Sequence, residues 1–124
     1  MRLLLDTQVL LWWLADAPMG EEARRAINDP GNDVLVSAAS TWEISLKQAL
    51  GKLRVPDDLL DQLGTNAMTP LPISLEDALS AGSLPALHGD PFDRLLIAQA
   101  LAGDLVVVTR DDRFAGYGVR TLAA

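Results

Sequence analysis

Two carboxylates and a cation stand where an apolar helix begins, in the segment His88, Gly89, Asp90, Pro91, Phe92, Asp93, Arg94. A helix start carries unpaired N–H groups and the positive end of the helix dipole, so acids there either cap the helix or form part of a metal site. Pro91 suits the first helical position, and Asp90 just before it is a natural N-cap. Capping is the stronger reading for Asp90, with metal binding as the other. Asp93 falls on the third helical residue, where complementing the dipole is worth about 0.3–1 kcal/mol. A hard-cation site needs several carboxylates converging from separate segments, so the other acids decide what Asp93 is for.

Three further segments deliver acids in a comparable setting. Leu3, Leu4 and Leu5 read as a short buried strand ending on Asp6 and Thr7. An Asp at the carboxyl end of a strand in an open α/β sheet faces the crevice where ligands bind, although Asp6 or Thr7 can equally cap the helix that follows. Leu105, Val106, Val107 and Val108 read as a central parallel strand followed by Thr109, Arg110, Asp111 and Asp112, and either of the two acids can face the crevice. Val34 to Ser37 reads as a strand leading into a helix that contains Glu43 and Lys47. If that helix starts near Ser40, Ser40 and Glu43 form a capping box; if it starts at Ser37, Glu43 lies mid-helix one turn before Lys47.

The elements that must hold these residues alternate. The pattern predicts strand 2–6, helices 7–15 and 20–28, strand 34–37, helix 38–50 stopped by Gly51, and helix 57–63. Residues 68–73 contain two prolines, which restricts any strand there to a sheet edge. Helix 75–82 behind Ser74, helix 91–102 stopped by Gly103, and strands 105–108 and 118–122 complete the order. Strands alternating with helices imply an α/β fold with a parallel sheet covered on both faces.

The chain has 124 residues, which predicts one domain spanning 1–124. No cysteine is present, which excludes disulfides, thiol catalysis and a thiolate zinc site. The apolar opening is interrupted at Asp6 and again at Asp16, so neither an export signal nor a membrane span is expected and the cytoplasm is the default compartment. A net charge of −7 opposes binding to nucleic acid unless bound cations reverse the local potential. Lys47, Lys52 and Arg54 group near the end of one helix, and Arg94, Arg110 and Arg113 stand beside candidate acids, although solvated surface charge is the ordinary role of each. His88, the one histidine, is expected to be structural rather than a general acid. Gly51 and Lys52 do not form a phosphate-binding loop, because Leu46 stands where the first glycine is needed. Trp12 and Trp13 are expected mostly in the core, with one indole exposed as an anchor for a partner.

In this order and spacing, LLLDTQVLLWWL, SAASTWEISLKQALGKL, LPALHGDPFDRLLIAQA and VVVTRDDRFAGYGV resemble the PIN-domain proteins of the VapC toxin type, the endoribonucleases of toxin–antitoxin pairs. The resemblance spans nearly the whole chain. It implies a PIN-like three-layer α/β fold with a central parallel sheet flanked by helices on both faces. It also implies that Asp6, Glu43, Asp93 and Asp111 hold Mg²⁺ or Mn²⁺, with Asp111 preferred to Asp112 because the family's acid stands two residues after the Thr. Asp90 belongs to the branch with the HxDPFDR sequence, and its contact with metal stays open. The implied reaction is hydrolysis of an RNA phosphodiester by a metal-activated water, with Lys47 or an arginine such as Arg94 neutralising charge. Thr7 and Thr109 would orient carboxylates or water. The implied partners are RNA, a VapB-type antitoxin and a second copy of the chain, with no membrane.

Other classes fit less well. A haloacid-dehalogenase-like phosphatase needs a second Asp two residues beyond the first, where Gln8 stands. A receiver-type signalling domain needs paired acids after its first strand and an Asp and a Lys after later ones, which Thr69 to Pro72 do not supply. A catalytically silent binding module of the same fold is opposed only by the intact acids.

Overall fold

The computed structural model describes residues 1–124. Five short strands, β1 (Arg2–Leu5), β2 (Asp33–Ser37), β3 (Thr69–Leu71), β4 (Val106–Thr109) and β5 (Arg120–Ala123), form one parallel sheet in the order β3-β2-β1-β4-β5. Six helices connect and cover them: α1 (Thr7–Leu14), α2 (Glu21–Asn28), α3 (Ala38–Ala49), α4 (Leu59–Thr65), α5 (Leu75–Ser83) and α6 (Pro91–Gly103).

The three central strands are apolar at their buried positions, except for the last residues of β2 and β4, Ser37 and Thr109, because both faces of the sheet are covered. Successive side chains alternate between the faces. Leu3, Leu5, Val34, Val36, Val106 and Val108 pack with Val9 and Leu10 of α1, Ile27 of α2, Ile44 of α3 and Leu63 of α4. Leu4, Leu35 and Val107 point the other way, onto Leu96, Ile97 and Ala100 of α6 and onto Phe114. Full burial of each such side chain contributes roughly 1.5–3 kcal/mol, so the strand ends that carry the candidate acids are rooted in the stiffest part of the molecule.

Element boundaries move in ways packing explains. The fourth helix starts at Leu59 and not at 57, which brings Leu59 and Leu63, one turn apart, onto the same core. Gly103 is the last residue of α6 and not its stop; the reversal falls on Asp104, left-handed at φ 51°, after which the Leu105 N–H returns to the Ala100 carbonyl. Gly51 does end α3, at φ 71°. Strand β4 extends through Thr109, and β5 begins only at Arg120, after Gly118 at φ 80° has turned the chain. Residues 69–71 form the sheet edge, as the two prolines require.

Strands β2 and β3 lie on one side of β1, and β4 and β5 on the other. The order therefore reverses between β1 and β4, and the loops leaving the carboxyl ends of those two strands part to leave a crevice. Asp6 leaves β1 there, and Asp111 follows β4.

Candidate acidic site

Asp6 occupies the N-cap position of α1, yet its carboxylate makes no capping hydrogen bond. Its Oδ2 instead accepts from the Thr109 hydroxyl at 2.7 Å, and the same Thr109 Oγ1 accepts from the Asp111 N–H at 2.9 Å. One buried hydroxyl thus fixes the acids that leave the two central strands. Thr7 does something else: its hydroxyl donates to Ser40 Oγ at 2.8 Å, joining α1 to α3 without touching a carboxylate.

Helix α3 starts directly after Ser37, whose Oγ accepts from the Ala39 N–H at 3.0 Å. That start removes the capping-box reading and places Glu43 mid-helix, buried, on the face that looks into the crevice. Glu43 Oε2 accepts from Lys47 Nζ at 2.6 Å, whereas the buried Oε1 has no hydrogen-bond partner.

Asp90 is the cap of α6, its Oδ1 accepting from the N–H groups of Phe92 at 2.8 Å and Asp93 at 3.1 Å. Asp93, released from capping by Asp90, turns its carboxylate into the crevice. There it meets His88, whose Nε2 lies 2.8 Å from Asp93 Oδ2 and 3.2 Å from Asp111 Oδ2. Asp111 is also gripped at both oxygens by the Arg113 guanidinium, at 3.0 and 2.9 Å, while Asp112 is exposed.

These side chains line one open cleft of about 360 Å³, bounded by Asp6, Thr7, Glu43, Lys47, Asp90, Asp93, Arg110 and Asp111 with Gln8, Leu11, Trp12, Ile44 and Leu53. The ligand atoms of His88, Asp93 and Asp111 lie within 4.8 Å of one another, and Asp6 and Glu43 line the same cleft as the two aspartates. The crowding of like charge is visible in the protonation of the acids. Burial, then the charges of Asp6, Asp90, Glu43 and Asp111, push the Asp93 carboxyl up to about 8. Burial also raises Asp6, against the Thr109 hydrogen bond, while the Arg113 hydrogen bond holds Asp111 below the usual carboxylate range. The Glu43 hydrogen bond raises Lys47.

A divalent cation fits this arrangement. The donors are hard carboxylate oxygens, which suit Mg²⁺ or Mn²⁺; Glu43 Oε1 is buried without a partner, and burial with its acidic neighbours opposes the charged form of Asp93, so the protein alone does not balance negative charge at either group.

Two further expectations require correction. Arg94 does not face the cleft: its guanidinium turns to the preceding loop, with Nε to the Ala81 carbonyl at 3.1 Å, Nη1 to Pro85 at 3.0 Å and His88 at 3.2 Å, and Nη2 to Leu84 at 2.8 Å and Gly82 at 3.5 Å. A planar fork with five donors is used up by carbonyls that no helix satisfies. His88, expected as a structural residue, is a buried loop imidazole set against Asp93 and Asp111. Its burial comes from Phe114 and Tyr117, whose ring and hydroxyl close over it from far along the chain. Neither Trp12 nor Trp13 is the exposed anchor. The Arg110 guanidinium stacks over Trp12 at 4.0 Å, and Trp13 Nε1 donates to Asn66 at 3.1 Å. The exposed indole is Trp42, set edge-on against Phe92 at 4.9 Å.

The PIN domain family model matches residues 3–119. Ribonuclease VapC22 of Mycobacterium tuberculosis is 30% identical over 118 residues, covering 92% of this chain and 90% of that protein. Among solved structures, the DNA-bound VapBC of Salmonella typhimurium superposes with a TM-score of 0.73 at 20% identity, over 99% of this chain and 98% of that one. VapBC2 of Rickettsia felis, bound to a promoter DNA fragment, gives 0.75 at 14% identity over 100% and 99%. The chain belongs to the PIN-domain family, and its kinship is with the VapC-type members. No helix is long and apolar enough to cross a membrane.

Proposed function

We propose that the chain is a divalent-metal-dependent endoribonuclease and the toxin of a toxin–antitoxin pair, acting in the cytoplasm as a single domain over residues 1–124. The observation that carries this is the convergence of Asp6, Glu43, Asp93 and Asp111, from four separate segments, on one cleft at the carboxyl ends of the strands, in a chain 30% identical to a protein named a ribonuclease.

In this reading Asp6, Glu43, Asp93 and Asp111 hold Mg²⁺ or Mn²⁺, while Asp90 caps α6 and keeps Asp93 free to do so. Such a cation, when bound, supplies Lewis-acid charge and a water of lowered pKa. Thr109 fixes the orientation of Asp6 and the backbone before Asp111. Lys47 holds Glu43 in place and, with Arg110 at the mouth of the cleft, provides positive charge for the incoming phosphodiester. The antitoxin would occlude the cleft, with a basic side chain against Asp6, Asp93 or Asp111 and an apolar helix beside Trp12. A homodimer within the toxin–antitoxin assembly completes the reading.

The test is direct. Purified protein is incubated with structured and unstructured RNAs in Mg²⁺, Mn²⁺ or excess chelator, and the new ends are mapped. Discrete internal cuts that need the cation and vanish in Asp6→Ala are expected. Full cleavage in chelator, or none under any condition with properly folded protein, overturns the assignment.

A further inference from the structure

His88 has a role that four metal-binding carboxylates do not require. It is 3% exposed, and its two nitrogens face different partners. Nδ1 accepts from the Asp90 N–H at 3.2 Å, so it carries no proton. In a neutral imidazole the proton then sits on Nε2, the atom that lies 2.8 Å from Asp93 and 3.2 Å from Asp111. Nε2 is buried and makes no hydrogen bond, the two carboxylate oxygens lying near it but off the N–H axis. A ring in this tautomer has no lone pair to give a metal at Nε2, and an imidazolium would aim its second N–H at the Asp90 amide.

We propose that His88 is a positioning residue: fixed by the Asp90 amide as the Nε2–H tautomer, it sets its one N–H edge against both Asp93 and Asp111 and holds the two carboxylates at a fixed separation, and it is not a metal ligand. The inference rests on the reading that these acids hold a cation. The clasp around it is built to keep the ring in register. The His88 N–H donates to the Tyr117 hydroxyl at 2.8 Å, that hydroxyl donates to the Pro85 carbonyl at 2.6 Å, and Arg94 holds the His88 carbonyl.

His88 is the only histidine in the chain, so nitrogen NMR on isotopically labelled full-length protein reads its tautomer without assignment ambiguity. The expected spectrum has a protonated, pyrrole-type Nε2 and an unprotonated Nδ1, unchanged when Zn²⁺, which takes imidazole readily, is added. Calorimetric Mn²⁺ titrations of two variants give a second readout. His88→Leu, which removes the donor, should lose about 10–100-fold in Mn²⁺ affinity, the usual effect of removing a group that orients ligands, whereas His88→Gln, which keeps an N–H donor, should recover most of it. An unprotonated Nε2, its deprotonation by Zn²⁺, or wild-type affinity in folded His88→Leu overturns the inference. If His88→Leu does not fold, the spectrum of the wild-type protein still decides. Cleavage of RNA with an unprotonated Nε2 sinks only the role of His88; a protonated Nε2 in a protein that binds Mn²⁺ but cuts no RNA sinks only the nuclease reading.

Discussion

Asp93 carries the largest electrostatic burden in the molecule. Its carboxyl is pushed up to about 8 by burial first and by its acidic neighbours second, against about 3.9 in an unfolded chain. The native state therefore binds more protons than the unfolded state between those two values, and stability falls as pH rises through that window. In chelator, the melting temperature should be lower at about pH 9 than at about pH 5, and saturating Mg²⁺ should remove most of the difference. Asp93→Asn should flatten this profile, leave the metal-free protein at least as stable as wild type, and reduce cleavage by at least about 100-fold. A markedly lower melting temperature in the variant would show that Asp93 is held for the fold. The acids themselves were legible in the sequence as candidates because each follows a local signal, a strand end, a helix cap or a one-turn spacing, that capping explains as well when taken alone and that points to a site only in combination. The choice of Asp111 over Asp112 came only with the family resemblance; Asp111 lines the cleft, and Asp112 is exposed. His88 was not legible, because the groups that bury it, Phe114 and Tyr117, are long-range and carry no periodicity that points back to residue 88.

At the scale of elements, the loop between α5 and α6 is held by one side chain. Arg94 leaves the first turn of α6 and reaches back to carbonyls from Ala81 to His88, so the loop that carries His88 and the cap Asp90 is fastened to the helix that carries Asp93. Hydrogen bonds from a charged donor contribute about 1.5–3 kcal/mol each when well shielded, but parts of this clasp are open to solvent. Arg94→Met should therefore cost roughly 2 kcal/mol in denaturant unfolding and weaken Mn²⁺ binding in the same variant. Loss of stability with unchanged Mn²⁺ affinity would separate the clasp from the site. An arginine beside an acid looks like a phosphate contact in sequence; only the direction of its side chain, set by the unpaired carbonyls of a loop, shows otherwise. The strands and long helices were readable because their periods are regular, whereas the misplaced boundaries fall where tertiary contacts decide. Gly51 is such a boundary read correctly: an added Cβ would meet nothing within 4 Å, so the need is for φ 71° alone. Gly51→Ala should cost about 1 kcal/mol without changing the metal site.

The whole molecule carries a net charge of −7, and the cleft is lined by Asp6, Glu43, Asp90, Asp93 and Asp111. RNA cannot be drawn to it by a broad basic surface, so under the proposed function affinity would come from cations held by the acids, from Lys47 and Arg110 lining the cleft, and from stacking or shape. With so few basic groups at the cleft, binding should respond only weakly to monovalent salt. Each phosphate contacted by a Lys or Arg contributes about −0.7 to the slope of log affinity against log salt for a single strand. With Lys47 and Arg110 as the two basic groups that line the cleft, the slope should be near −1.4, shallow for a nucleic-acid-binding protein. Anisotropy titrations of a labelled oligoribonucleotide with the Asp93→Asn variant, at constant Mg²⁺ and increasing KCl, measure it. A slope steeper than about −4 would require a further set of phosphate contacts, and the place to look would be Lys52 and Arg54 beyond the end of α3. A partner that closes the cleft is under the opposite rule: the charge that repels RNA attracts a basic segment, so a cationic antitoxin peptide should bind metal-free protein more tightly than metal-loaded protein, and the two should compete.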